Sequence, residues 1–203
     1  MKNLKELTRI LFLSLLLVSC GNESKKVGKE IENSTQSISN AKNVVNDASE
    51  MEENIRQLRK KEYLTKEQWE SWLPKVLLDM PITYQQLNFM PGLGSCGATY
   101  KIGNKSIRVM VIDGAGEKGA SGVGPYRMSS KMDYDSKDEW GSTKTVVIDG
   151  IKAKKSYVKT SGMYSLSMFY NHRFAIDIEA HNFSEDKLAE IVKELNLSEL
   201  KKF

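Results

Sequence analysis

Histidine is almost missing from this 203-residue chain: His172 and His181 are the only two, which excludes a histidine-rich metal centre. Cysteine is as scarce, with Cys20 and Cys96 alone, so no multi-disulfide framework can form and stability must come from packing. Long apolar runs are lacking too. The longest, Ile10 to Val18, falls well short of the ~20 residues that a helix needs to cross a bilayer core. Neither sign of charge dominates. The 30 basic and 26 acidic residues are interleaved, so there is no basic stripe and no nucleic acid partner is expected. No serine stands in a nucleophile elbow, and no tight pair of carboxylates offers itself as general acid and base. No cofactor and no metal are expected, and catalysis is the weaker expectation.

What the chain does have begins at its first residues. Lys2, Lys5 and Arg9 outweigh Glu6 and are followed by the apolar run and then Ser19-Cys20-Gly21-Asn22, the layout of a secretory signal. Leu17-Val18-Ser19-Cys20 resembles the lipobox of bacterial lipoproteins. That resemblance implies a signal peptide over 1–19, cleavage before Cys20 by signal peptidase II, and lipid on Cys20. Two or more acyl chains, palmitate among them, convert marginal membrane binding into stable anchoring. The implied address is the bacterial cell envelope. In enteric bacteria an aspartate after the cysteine retains a lipoprotein at the inner membrane; Gly21 stands there instead, so the outer membrane is expected. A thioether at Cys20 would also leave Cys96 without a disulfide partner. Taking residues 1–19 from the 203 leaves 184; taking Lys2, Lys5 and Arg9 from the 30 basic residues and Glu6 from the 26 acidic ones leaves a net charge of +2. That length suits a tether and one domain.

The tether is expected over 20–62, partly helical. From Glu23 to Lys61 there is no proline, no aromatic residue and one glycine, Gly28. Val27, Ile31, Ser34, Ile38, Ala41, Val45, Ala48 and Ile55 keep a four-three spacing that breaks at Glu52. Asn, Ser and Thr compete with helical hydrogen bonding there, so the segment is either a docked or paired helix or a flexible stalk.

One α+β domain is expected over 63–203. Thr65-Lys66-Glu67-Gln68 reads as a capping box, with Leu64 and Trp69 as a staple, opening a helix that carries Trp69, Trp72, Leu73, Val76 and Leu77, kinked or divided at Pro74. A last helix begins near Ser184 and runs to about Leu195, with Leu188, Ile191, Val192 and Leu195 on one face. Between these helices the period falls to two. Cys96 to Ile102, Gly103-Asn104 and Ile107 to Ile112 form one hairpin; Asp149-Gly150 turns another; Met163 to Tyr170 and Phe174 to Ala180 form a third. Consecutive hairpins predict an antiparallel sheet covered by helices. The order of elements is similar to that of single-sheet domains of the Mog1/PsbP-like group, a resemblance that implies a fold and carries no functional residue.

Three places carry candidate chemistry. Gly114-Ala115-Gly116-Glu117-Lys118-Gly119 has the spacing of a dinucleotide loop after a strand, but the residues to Pro125 are too glycine-rich and proline-broken to open the required helix. Residues 114–143 instead read as a long loop, or a short extra helix, offering Tyr126, Met128, Tyr134 and Trp140 as ligand-binding residues, with Met132 nearby. Asp177, Glu179 and His181 share one strand face. Spaced about 6.5 Å apart along the strand, they cannot converge on one metal ion unaided and read as a solvated face. Cys96 reads as a small buried hydrophobe rather than a nucleophile. The expected function is a lipid-anchored envelope protein whose domain binds or scaffolds an envelope partner without catalysis. Its alternatives are an envelope enzyme with 114–143 as a lid over Asp113, Asp149 or the Asp177–Glu179–His181 face, and a structural protein that oligomerises through 23–61.

Overall fold

A computed structural model of the chain describes residues 48–203. The lipobox, Cys20 and the tether as far as residue 47 lie outside the described residues. Contacts divide the chain into two units, 1–52 and 53–203, and the second takes in residues 53–62 as well as the stretch from Tyr63 onward. Residues 48–60 are helical (α1); in its second half Leu58 is buried.

Helix α2 is Lys66–Trp72, and its start is chemically specified. Thr65 accepts from the Gln68 N–H while the Gln68 side chain accepts from the Thr65 N–H, so the box satisfies two otherwise orphaned donors. The expected continuation through Val76 and Leu77 does not occur. Pro74 cannot extend the hydrogen-bond ladder, and Val76–Leu77 is a two-residue strand, β1, paired with β2, Met80–Leu87. Then come β3 (Ser95–Ile102), β4 (Lys105–Asp113), two short helices α3 (Gly116–Gly122) and α4 (Gly124–Lys131), and β5 (Asp135–Lys137). Four long strands follow: β6 (Gly141–Ile148), β7 (Ile151–Val158), β8 (Met163–Tyr170) and β9 (Phe174–His181). Helix α5 is Lys187–Leu195 and a 3-10 turn covers Leu197–Lys202. The last helix thus starts later than Ser184, without a side-chain cap, and ends as Asn196 turns left-handed at φ 47°.

The domain is mixed α+β around one nine-stranded antiparallel sheet in the order β1-β2-β3-β4-β9-β8-β7-β6-β5. The expected hairpins β3–β4, β6–β7 and β8–β9 are all present. Asp149 (φ 50°) and Gly150 (φ 74°) both take left-handed backbone, as a two-residue hairpin turn requires. After β4 the chain crosses by α3 and α4 to the far edge and meanders back, so that β9 lands beside β4 in the middle. There Val109 pairs with Ile178 and Met110 with Asp177.

Register divides the sheet into two faces. One carries Ala98 and Tyr100, Ile107 and Val109, Ile176 and Ile178, Leu166 and Met168; these join Trp69 and Trp72 of α2 and Leu188, Ile191 and Leu195 of α5 in a single apolar core. The opposite face is apolar near the start of β9, where Ala175 pairs with both Ile112 and Phe169. There α4 lies over it: the Arg127 guanidinium stands 5.1 Å from the Phe169 ring centroid. Further along, the same face turns polar.

Candidate functional site

Two rows of paired residues make the polar part of that face. Arg108 of β4, Glu179 of β9, Ser165 of β8, Ser156 of β7 and Thr143 of β6 are successive cross-strand partners. The next row runs Met110, Asp177, Ser167, Lys154 and Thr145. Strands lie ~4.8 Å apart, so each row is a line of side chains at that interval. The serines of β8 are short, and α4 rises along one flank. Between them opens a trough of about 510 Å³, floored by residues of β4, β9, β8 and β7 and walled by Pro125, Tyr126 and Ser129.

Helix α4 is fixed beside this floor by neighbouring side chains. Pro125 stands in the first turn, where its missing N–H costs nothing. Tyr126 donates its hydroxyl to the Asp177 carboxylate. Burial, helped by the bond to Asp177 and by that carboxylate's charge, pushes the phenol pKa up, so Tyr126 stays a neutral donor. Arg127 turns under the helix, stacked on Phe169 and donating from Nη2 to Asn54 Oδ1 at 3.2 Å. One turn on, Ser129 Oγ lies 3.0 Å from Tyr134 Oη, and the Tyr134 N–H donates to Thr145 Oγ1 at 2.8 Å. Lys154 Nζ lies 5.6 Å from the Tyr134 ring centroid.

The trough's charges balance. Arg108 and Glu179 form a loose pair at 3.7 Å, with 65% of the Arg108 side chain still exposed. Lys154 sits two strands away from Asp177, ~9.6 Å by strand spacing. The arrangement can offer charged and neutral donors, two carboxylate acceptors and several hydroxyls that do either.

Of the residues expected to bind a ligand, Tyr126 walls the trough and Tyr134 braces its end. Met128 does not: two positions from Tyr126 on a helix it faces away, 56% exposed. Trp140, 64% exposed, sits in the β5–β6 turn beside a separate shallow hollow of about 200 Å³. The carboxylates proposed to lie beneath a lid are likewise dispersed. Asp113 is buried and bound by Arg173 through Nε at 2.6 Å and Nη2 at 2.7 Å, and by the N–H groups of Leu64 and Ala115 at 3.0 Å each. Asp149 is in an exposed turn. Asp177 and Glu179 alone face the trough; His181 ends the strand beyond it. Among the described residues no cluster of His, Cys, Asp and Glu could hold a metal ion. Cys96 is fully buried and burial pushes its thiol up to about 12, which removes it as a nucleophile at neutral pH.

The 114–143 segment holds two short helices, the alternative that the sequence left open beside a long loop. A helix does open at Gly116, because the glycines serve close contact. A Cβ on Gly114 would lie 2.5 Å from the Arg173 carbonyl oxygen, and one on Gly119 would lie 2.5 Å from that of Asp113. The glycines let α3 seat against the ends of β4 and β9, where a dinucleotide loop would need open space. The trough itself went unrecognised in the sequence. Its signal was polar alternation at matching places in four strands, Asp177-x-Glu179, Ser165-x-Ser167, Lys154-x-Ser156 and Thr143-x-Thr145.

Comparison of the chain with protein-family models, with curated proteins and with solved structures gives no match in any of the three.

Proposed function

We propose that this chain is a lipid-anchored bacterial envelope protein, held to the outer membrane through Cys20, whose domain is a non-catalytic binding module. The observation that carries the binding role is the polar trough between α4 and the sheet. It is a concave site of a size common for small ligands, ~300–1,000 Å³, with convergent polar groups and a braced wall. The anchor rests on Lys2, Lys5 and Arg9, the apolar run and Leu17-Val18-Ser19-Cys20. In this reading a sheet of hairpins, covered by helices, stands beyond the tether that follows Cys20 and presents the trough to a ligand or an envelope partner.

Two experiments test it. Radioactive palmitate should label the chain in cells, and Cys20→Ala should abolish the label; label that persists in the variant overturns the anchor. Material co-purifying with the detergent-solubilised chain should be lost when Ser167→Trp fills the trough, with the thermal transition retained. Unchanged recovery places binding elsewhere. Oligomerisation through 23–61 is the rival structural role, and a monomeric mass in sedimentation counts against it.

A further inference from the structure

We infer that the trough takes a short neutral glycan. The inference rests on the reading of the trough as the ligand site and adds the chemistry of its occupant.

Charge comes first. The lining carries Arg108 and Lys154 against Asp177 and Glu179, and no net sign results. A phosphate or carboxylate lying along the floor would meet Asp177 and Glu179 between the two cations. A small cation would find Glu179 already beside Arg108 and Asp177 already accepting the Tyr126 hydroxyl. An acyl chain fits worse, because it would leave the floor's polar groups without partners at a cost of ~1–3 kcal/mol for each one buried.

A polyhydroxylated ring meets every part of the lining. Its rim hydroxyls both donate and accept, as do Ser156, Ser165 and Ser167, and the flanking charges add stronger donors and acceptors. Its C–H face needs a flat apolar partner at an angle to that floor. Pro125 and Tyr126 on the α4 wall supply apolar surface there, and the bond from Tyr126 to Asp177 holds the ring in place before any ligand arrives. Preorganisation of this kind lowers the cost of binding. The ~4.8 Å interval between strands sets donors and acceptors about one hexose width apart.

The test is saturation-transfer NMR on the full chain in a non-glycosidic detergent. Chitotriose and maltotriose serve as neutral probes, putrescine and inorganic phosphate as charged ones. One trisaccharide should bind, with transfer strongest at the ring C–H protons, and Asp177→Asn should weaken it roughly ten-fold, about the loss expected for one charged hydrogen bond. Ser165→Phe, which fills the floor, should remove it. If Ser165→Phe fails to fold, the near-isosteric Asp177→Asn decides. Saccharide binding that neither substitution changes overturns the inference, as does no saccharide binding at all. Putrescine or phosphate bound in place of sugar, and lost in the same variants, overturns the glycan and leaves the trough as a ligand site. Binding with cleavage of the trisaccharide supports the glycan and overturns only the non-catalytic reading.

Discussion

Asp113 makes four hydrogen bonds without touching solvent, and they join four parts of the chain. Its carboxylate takes two bonds from Arg173 at the β8–β9 turn, one from Leu64 ahead of α2 and one from Ala115 ahead of α3. Arg173 in turn donates from Nη1 to the Phe203 carbonyl at 2.9 Å. A buried pair of this kind contributes little when exchanged whole for apolar groups, but losing one partner strands a charge and costs about 3–5 kcal/mol. Asp113→Ala should therefore lower unfolding free energy by about that much in urea titration, a large share of the ~5–15 kcal/mol of an ordinary domain. Asp113→Leu with Arg173→Leu should not recover it fully, because the N–H groups of Leu64 and Ala115 still lose their acceptor.

Alkali should act on other buried groups. Burial raises the Cys96 thiol from 9.0 to about 12. It also raises the phenol of Tyr100, whose hydroxyl donates to the Pro74 carbonyl, and that of Tyr126. Each binds its proton more tightly folded than unfolded, so its contribution is complete below the unfolded pKa and is lost as pH rises through the folded one. The urea midpoint should hold to about pH 8.5 and fall steadily above it. Cys96→Ala should delay the onset towards the tyrosine range; an onset unmoved in that variant removes Cys96 from the cause.

At the scale of elements, α3 shows how two glycines in one helix can have opposite worth. Gly119 meets the Asp113 carbonyl oxygen, whereas a Cβ on Gly122 would find nothing closer than Leu93 at 3.8 Å. Alanine favours a helix interior by ~1 kcal/mol over glycine, and by less at Gly122, the last residue of α3. At Gly119 overpacking of ~1–3 kcal/mol outweighs that gain, because the obstructing atom is strand backbone. Gly119→Ala should lower the melting temperature and Gly122→Ala should raise it; a rise in both would show that α3 is free to move off β4. The same element marks the limit of what sequence revealed. Period-two strands, the Asp149-Gly150 turn and the Thr65 box were legible because each is local. Helices α3 and α4 were legible only as an alternative to a loop, since glycine and proline argue against helix and only contact with β4, β8 and β9 explains them. Strand β2 was missed for a related reason: two-residue β1 covers only Met80 and Pro81, so most of Met80–Leu87 keeps one flank open and its apolar alternation is weak.

For the whole molecule, the order of strands is what sequence withheld. Arg108 and Glu179 become neighbours only because β9 inserts beside β4, a pairing 71 positions apart along the chain. Asp177 and Glu179 could be placed on one face from spacing alone; that four further strands contribute Ser165, Ser156, Thr143 and Arg108 to the same line could not. The trough is a property of topology, and its composition is visible in the sequence only once the neighbours are known.

The position of β9 has a consequence in time. Synthesis proceeds from β1 to β4 and then from β5 to β8, so both meanders emerge with one long flank bare and nothing to join them. The strand that closes the gap, with α5 behind it, comes after both meanders, from Phe174 onward. A chain truncated before Phe174 should show no cooperative melting transition by calorimetry, and a sharp transition in that fragment would contradict this order. A nascent chain of this design cannot lock before β9 has emerged. For a protein that threads through a membrane before folding, as proposed here, the middle of the sheet acts as a clasp that closes only after passage.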